Sequence, residues 1–230
     1  QAYTTGHADE QDTLYALDTR TGAVAWKFSY PAELGDKFFE GGTTGTPVVD
    51  GGRVYSLNRW GELLCLQAGG GSVVWRTNVV TLAGARVPDW GFGGAPLVLG
   101  DRLILNVGDA GLALDKRTGA VLWKSEGLSA GYSTPLPVQR GDTTYAILGS
   151  AKAYVAIRVT DGKEAWRLRW LTEYGVNASD PIVDGDKLFL STGYGKGAAL
   201  FEWGQGEPKQ VWKSKVMRSQ LNTAVLRNGF

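Results

Sequence analysis

The chain has 230 residues, 43% of them hydrophobic and 20% charged, and its 24 Lys and Arg nearly cancel 23 Asp and Glu for a net charge of +1. That balance offers no basic field for a nucleic-acid backbone, and no apolar run reaches the roughly 18 residues of a membrane span. One cysteine, Cys65, and one histidine, His7, exclude an internal disulfide and a cysteine zinc cage and leave little triad chemistry.

The chain opens "QAYTTGHADE", with no Met, charged n-region or apolar h-region, so a targeting peptide is absent or already removed. Asp9, Glu10 and Asp12 stand beside His7, and their place near a chain end reads as a solvated loop rather than a catalytic or metal cluster. "LYALDTRTGAVAW", Leu14 to Trp26, alternates apolar residues, turns at Thr-Gly and runs into a tryptophan, which predicts a β-hairpin. From Thr46, "TPVVDGGRVYSL" predicts a second hairpin with its turn at Asp-Gly.

The same two phrases then recur. The first returns as "LCLQAGGGSVVW" to Trp75, "LALDKRTGAVLW" to Trp123, "VAIRVTDGKEAW" to Trp166 and a looser "LFEWGQGEPKQVW", about one residue longer, to Trp212. The second returns from Ala95, Thr134, Asp180 and Thr223. Successive tryptophans are 49, 48, 43 and 46 residues apart, a period in the mid-forties.

Two hairpins per period make four antiparallel strands, A to D, and no segment between them has helical periodicity long enough to compete. The predicted class is therefore all-β, a propeller of four-stranded blades. A single domain over 1–230 would carry blades at about 1–28, 43–78, 93–125, 132–169 and 178–214, with a further blade starting over 222–230. Pro47, Pro96, Pro135 and Pro181 fall at the second residue of strand A, and a proline cannot donate to a ladder, so strand A is expected at the inner edge. Trp26, Trp75, Trp123, Trp166 and Trp212 are expected to dock one blade on the next, each indole N–H needing a partner.

The phrase carried by Ala16, Asp18, Thr21, Gly22 and Trp26, repeated at Ala113, Asp115, Thr118, Gly119 and Trp123, resembles the tryptophan-docking motif of the quinoprotein (PQQ-like) repeat family. That family usually builds eight-bladed propellers. The resemblance therefore implies a fragment with about five of a probable eight blades, against the alternative of a five-bladed ring closed by the terminal strand A.

In a propeller the D-to-A and B-to-C connections share one face, because strand A starts where strand B ends. These loops are rich in aromatic and charged residues, including Phe38 and Phe39. The candidate partner face comprises Arg59, Trp60, Trp90, Phe92, Asp109, Tyr132, Lys152, Tyr174, Tyr194 and Lys196, a mouth suited to a peptide, a sugar or a flat ring. Packing of loops onto blade ends is the competing reading for each. "GYGKGA" around Lys196 lacks phosphate-loop spacing and joins strand to strand, so it reads as a turn. "DGGR" and "DGDK" read as hairpin turns rather than calcium loops, "NAS" at Asn177 matches a glycan sequon, and Cys65 reads as a small buried hydrophobe.

The resemblance implies two functions. One branch of the family holds pyrroloquinoline quinone with calcium beside a vicinal disulfide and oxidises alcohols or sugars, but a single cysteine cannot form that disulfide. The other, BamB-like branch is cofactor-free and binds partners. A non-catalytic scaffold of the bacterial cell envelope or periplasm is the expectation, holding a protein or peptide and neither nucleic acid nor cofactor, with any lipid anchor outside this segment.

Overall fold

The computed structural model describes residues 1–36, 39–204 and 206–228; Phe38 lies outside them. The hairpins form as expected. β1 (Ala2–Ala8), β2 (Gln11–Leu17) and β3 (Val24–Pro31) make a three-stranded antiparallel sheet. Four four-stranded sheets follow: β4 (Val48–Asp50) to β7 (Val73–Asn78), β8 (Leu97–Leu99) to β11 (Val121–Lys124), β12 (Leu136–Arg140) to β15 (Glu164–Arg169), and β16 (Ile182–Asp184) to β19 (Lys209–Ser214). In each of these four, strands A to D lie in chain order, with A and D at the edges.

Strand A is the inner edge: β4 approaches β8 across the gap between their sheets, as strands converging on an axis must. The prolines sit one residue before strand A rather than inside it, where a missing N–H costs no ladder bond. A short helix, α1 (Val79–Ala83), was not expected; Asn78 Oδ1 caps it by accepting the Val80 and Thr81 amides, and Gly84 ends it at φ 68°. The described part of 222–230 forms no strand. A strand requires a paired neighbour, and this segment instead lies against the entry to the fifth sheet, Ser179 Oγ donating to the Ser219 and Asn222 carbonyls at 3.2 Å each.

The core is four apolar layers, each between consecutive sheets. Period-two alternation divides the middle strands between layers: Val54, Leu64 and Leu66 face Leu14 and Tyr30 of the first sheet, while Tyr55, Leu57, Leu63 and Cys65 face Leu103, Leu105, Leu112 and Leu114 of the third. Because both faces are covered, Leu63, Leu64, Cys65 and Leu66 are all fully buried, and the run reads as unbroken hydrophobicity rather than alternation.

The tryptophans occupy equivalent register positions. Ala16, Cys65, Ala113, Ala156 and Leu200 oppose Trp26, Trp75, Trp123, Trp166 and Trp212, and in every C–D pair the ladder shifts at the next residue, so that the residue before each tryptophan bulges. Trp26 Nε1 donates to Ala68 O at 2.8 Å, Trp75 Nε1 to Lys116 O at 3.1 Å, and Trp123 Nε1 to Val159 O at 2.9 Å, each acceptor lying on the following sheet. Three residues after each acceptor a glycine in left-handed conformation, Gly71, Gly119 or Gly162, lies under the ring; a Cβ there would come within 2.6 to 3.0 Å of it. Only glycine meets both conditions.

The fourth seam departs from the expected docking. The acceptor position of the fifth repeat is Trp203, and its ring meets Trp166 edge-on at 5.2 Å and 83°. Trp166 Nε1 is buried with no hydrogen-bond partner among the described residues, and Gly206 has nothing near its missing Cβ. Ile157 pairs Glu164 where Phe201 pairs Gln210, so this turn is two residues longer, not one, which makes room for the extra indole. Arg140 lies 4.6 Å over Trp203 and ties the seam to the fifth sheet through Gly185 O at 2.7 Å. Among the described residues no sheet follows for Trp212 to dock on; it is 42% exposed and packs on Phe189.

Candidate functional site

The D-to-A loops meet at one end of the stack around a cavity of about 570 Å³, which Tyr194 joins from a B-to-C turn. Its walls include Phe39, Trp90, Tyr132 and Tyr194, and its floor Thr44, Thr134, Asp180 and Thr223. The rings form a continuous chain: Tyr132 meets Trp90 edge-on at 6.0 Å, Trp90 meets Tyr174 at 6.1 Å, and Tyr174 meets Tyr194 at 5.8 Å. Loops from the second, third, fourth and fifth repeats thereby build one aromatic rim, which no single blade could present.

Two of these tyrosines hold unusual backbone. Tyr174 has φ 61° and Tyr194 φ 52°, left-handed values that side chains rarely adopt. They are also exposed, 64% and 37% respectively. Strain carried by exposed, mutually touching rings at a cavity mouth is a pattern associated with binding sites.

Beneath the rim, three residues that precede strand-A prolines, Ala95, Thr134 and Asp180, are stitched to one another and to Thr223. The Ala95 amide donates to Thr134 Oγ1 at 3.2 Å, the Thr134 amide to Asp180 Oδ1 at 2.7 Å, and the Asp180 amide to Thr223 Oγ1 at 2.9 Å. Burial raises the Asp180 pKa above the ordinary carboxylate value, against the lowering effect of the Thr134 amide and the Thr223 hydroxyl. Sequence reading missed this belt and Asp180, although the residue before each proline, Thr46, Ala95, Thr134 and Asp180, differs visibly in charge at the last.

Trp90, Tyr132, Tyr174 and Tyr194 therefore stand together, whereas the other candidates do not join them at the rim. Arg59 is 3% exposed and Phe92 1%, so neither is on a binding surface. The Arg59 guanidinium holds loops together by donating to the Leu34, Gly42 and Trp90 carbonyls, and burial lowers its pKa. Trp60 lies beside it, 5.2 Å from its Cζ, and donates Nε1 to Glu33 O at 2.8 Å. Loop packing, the competing reading, describes these three. Asp109 and Lys152 line a separate groove, where Asp109 is held by Arg167 at 2.8 Å. Lys196 lies 4.7 Å over Trp170, its pKa lowered by burial and then by Lys213 and Arg169.

Two smaller expectations also change. Asp12 is not solvated: it is 2% exposed and binds His7 Nδ1 at 2.9 Å, with Asn58 of the next sheet donating to its other oxygen at 3.2 Å. Asn177 is fully buried, donating to the Ser150 and Trp170 carbonyls at 2.8 and 3.0 Å, so the sequon presents no side chain to a glycan-transferring enzyme in the folded protein.

Comparison with known proteins bears on family and fold. The family described as outer membrane protein assembly factor BamB matches residues 10–230. An outer membrane protein assembly factor BamB of Xanthomonas campestris pv. campestris is 29% identical over 185 residues, which are 78% of this chain and 42% of that protein. This chain thus spans less than half the length of that curated relative. Among solved structures, BamB from Moraxella catarrhalis superposes with a TM-score of 0.64 at 18% identity, covering 94% of this chain and 62% of that one. A quinohemoprotein alcohol dehydrogenase from Comamonas testosteroni superposes at 0.55 and 17% identity, covering 86% and 39%. Likeness at such identities shows the propeller fold alone.

Proposed function

Because the chain belongs to the family of the outer membrane protein assembly factor BamB, we propose that it is a non-catalytic binding propeller of the bacterial cell envelope that holds a protein or peptide partner on its loop-rich face. The observation that carries this reading is the aromatic chain Tyr132–Trp90–Tyr174–Tyr194 at the mouth of the cavity. Strands of outer-membrane barrels alternate apolar and polar side chains and carry aromatic girdles. An extended segment of that kind turns an apolar side chain to one face at every second residue, with rings at its girdles, and each edge-to-face contact a ring makes with the mouth is worth about 0.5–1.5 kcal/mol beyond burial.

The described residues do not fit a quinone cofactor with calcium. No three His, Cys, Asp or Glu side chains among them are grouped to hold a metal, and Cys65, the one cysteine of the sequence, is buried in the core and cannot form a vicinal disulfide. The binding role stands ahead of a quinone-dependent dehydrogenase on the strength of the family match. Among the described residues no helix is long and apolar enough to cross a membrane.

The test is site-specific photo-crosslinking of the full-length protein in cells, with benzoylphenylalanine replacing Tyr174 or, as a control on an outer strand, Leu122. Cross-links from position 174 to outer-membrane barrel proteins or to their assembly machinery, absent from position 122, are expected. Equal labelling from both positions, or none from 174, contradicts the reading.

A further inference from the structure

The belt of residues under the aromatic rim contains one group it does not need. At its other described positions a neutral hydroxyl does the work: Thr134 Oγ1 accepts the Ala95 amide, and Thr223 Oγ1 accepts the Asp180 amide. Asp180 performs the same task for the Thr134 amide with a carboxylate, so a threonine would satisfy the belt and its charge is surplus to the fold. That charge is also costly, since it is partly desolvated and no Lys, Arg or His among the described residues lies within ion-pair distance. Nor, among the described residues, does the cavity lining contain a cation.

The walls add to the same potential rather than offset it. Phe39, Trp90, Tyr132 and Tyr194 share the cavity with Asp180, and the faces of aromatic rings are electronegative. An anion is repelled by such a cavity, a neutral polar group gains hydrogen bonds to hydroxyls and an amide but nothing from the charge, and a cation gains from both the rings and the carboxylate. A volume of about 570 Å³ accommodates the end of a long side chain.

We propose that the mouth is an aromatic cage for an organic cation, taking a lysine or arginine side chain of the bound partner, with Asp180 as counter-ion. This rests on the reading of the loop face as the partner-binding face and names the chemistry it selects. The left-handed backbone of Tyr174 and Tyr194 then holds the outer rings of the cage in place.

The experiment uses the full-length protein and a pair of small probes equal in shape and different in charge, choline and 3,3-dimethylbutan-1-ol, titrated by calorimetry. Choline is expected to bind roughly ten-fold more tightly, and Asp180→Thr, which keeps the belt acceptor, to erase that preference without lowering the melting temperature. Trp90→Leu is expected to weaken choline binding in a chain that still melts cooperatively. Equal binding of the two probes, or a preference that survives Asp180→Thr, overturns the cage. A second titration uses an extended barrel-strand peptide carrying lysine, and its norleucine twin. Equal affinity for the twins overturns the cage and leaves the partner face standing. Failure of both peptides while choline keeps its preference overturns the partner face and retains the cage.

Discussion

The first three seams and the fourth do the same job with different chemistry. At the first three, an indole N–H reaches a carbonyl of the next sheet and its ring covers a left-handed glycine. At the fourth, Trp166 meets a second indole, Trp203, and its N–H finds no acceptor among the described residues. Burial therefore suffices to join two sheets, and the hydrogen bond fixes where the ring sits. The fifth repeat departs again at the mouth, where Asp180 replaces a hydroxyl or methyl residue. Position by position, repeats reveal which departures are repaired by packing, as at Trp203, and which leave a group unspent, as at Asp180.

Glycine substitutions should separate the two kinds of seam most widely. In Gly162→Ala the new Cβ would lie 2.6 Å from the Trp123 ring on a backbone at φ 71°, so overpacking and left-handed strain add to about 2–4 kcal/mol. Gly206→Ala carries only the strain, about 1 kcal/mol. Urea unfolding of the full-length protein reads the difference, and equal losses would erase the distinction between seams.

Trimming the indole should give a smaller contrast. Trp123→Phe leaves Val159 O without its donor and costs about 1–3 kcal/mol, whereas Trp166→Phe removes an N–H that has no acceptor and costs under about 1 kcal/mol beyond the lost volume. If Trp166→Phe proves the more damaging variant, the fourth seam has an acceptor after all.

The smallest effect concerns pH. Burial raises the folded-state pKa of Asp180, so the folded chain holds that proton more tightly than the unfolded one and loses stability as pH rises from the unfolded value, about 3.9, through the folded one. Asp180→Thr should accordingly raise the melting temperature at pH 7 and not at pH 3. A gain of the same size at both values would place its origin outside the charge.

Much of the fold is legible in the sequence because it is written in local chemistry. Asp18 and Asp115 each accept the amides two and three residues further on, Gly22 and Gly119 supply left-handed turns, and alternation assigns each strand's faces. The site is less so. Arg59 and Phe92 look like surface candidates on loops, yet burial depends on which loops converge, and that is set by closure of the stack rather than by neighbours in sequence. The His7–Asp12 pair is buried for the same reason, covered by Asn58 from the next sheet. Trp203 lies inside a quoted repeat, but its consequence requires knowing that its position is the acceptor for the preceding tryptophan.

The most direct measurement titrates the full-length protein with a fluorescent extended peptide from an outer-membrane barrel strand, comparing Trp90→Ala with Trp60→Ala. Trp90 is central to the ring chain at the mouth, and Trp60 packs over Arg59 away from it. A loss of affinity of roughly five-fold or more is expected for Trp90→Ala, from the edge-to-face contacts it supplies, with Trp60→Ala binding as the native protein does. Unchanged affinity in Trp90→Ala, or an equal loss in both, would contradict an aromatic mouth as the place where the partner is held.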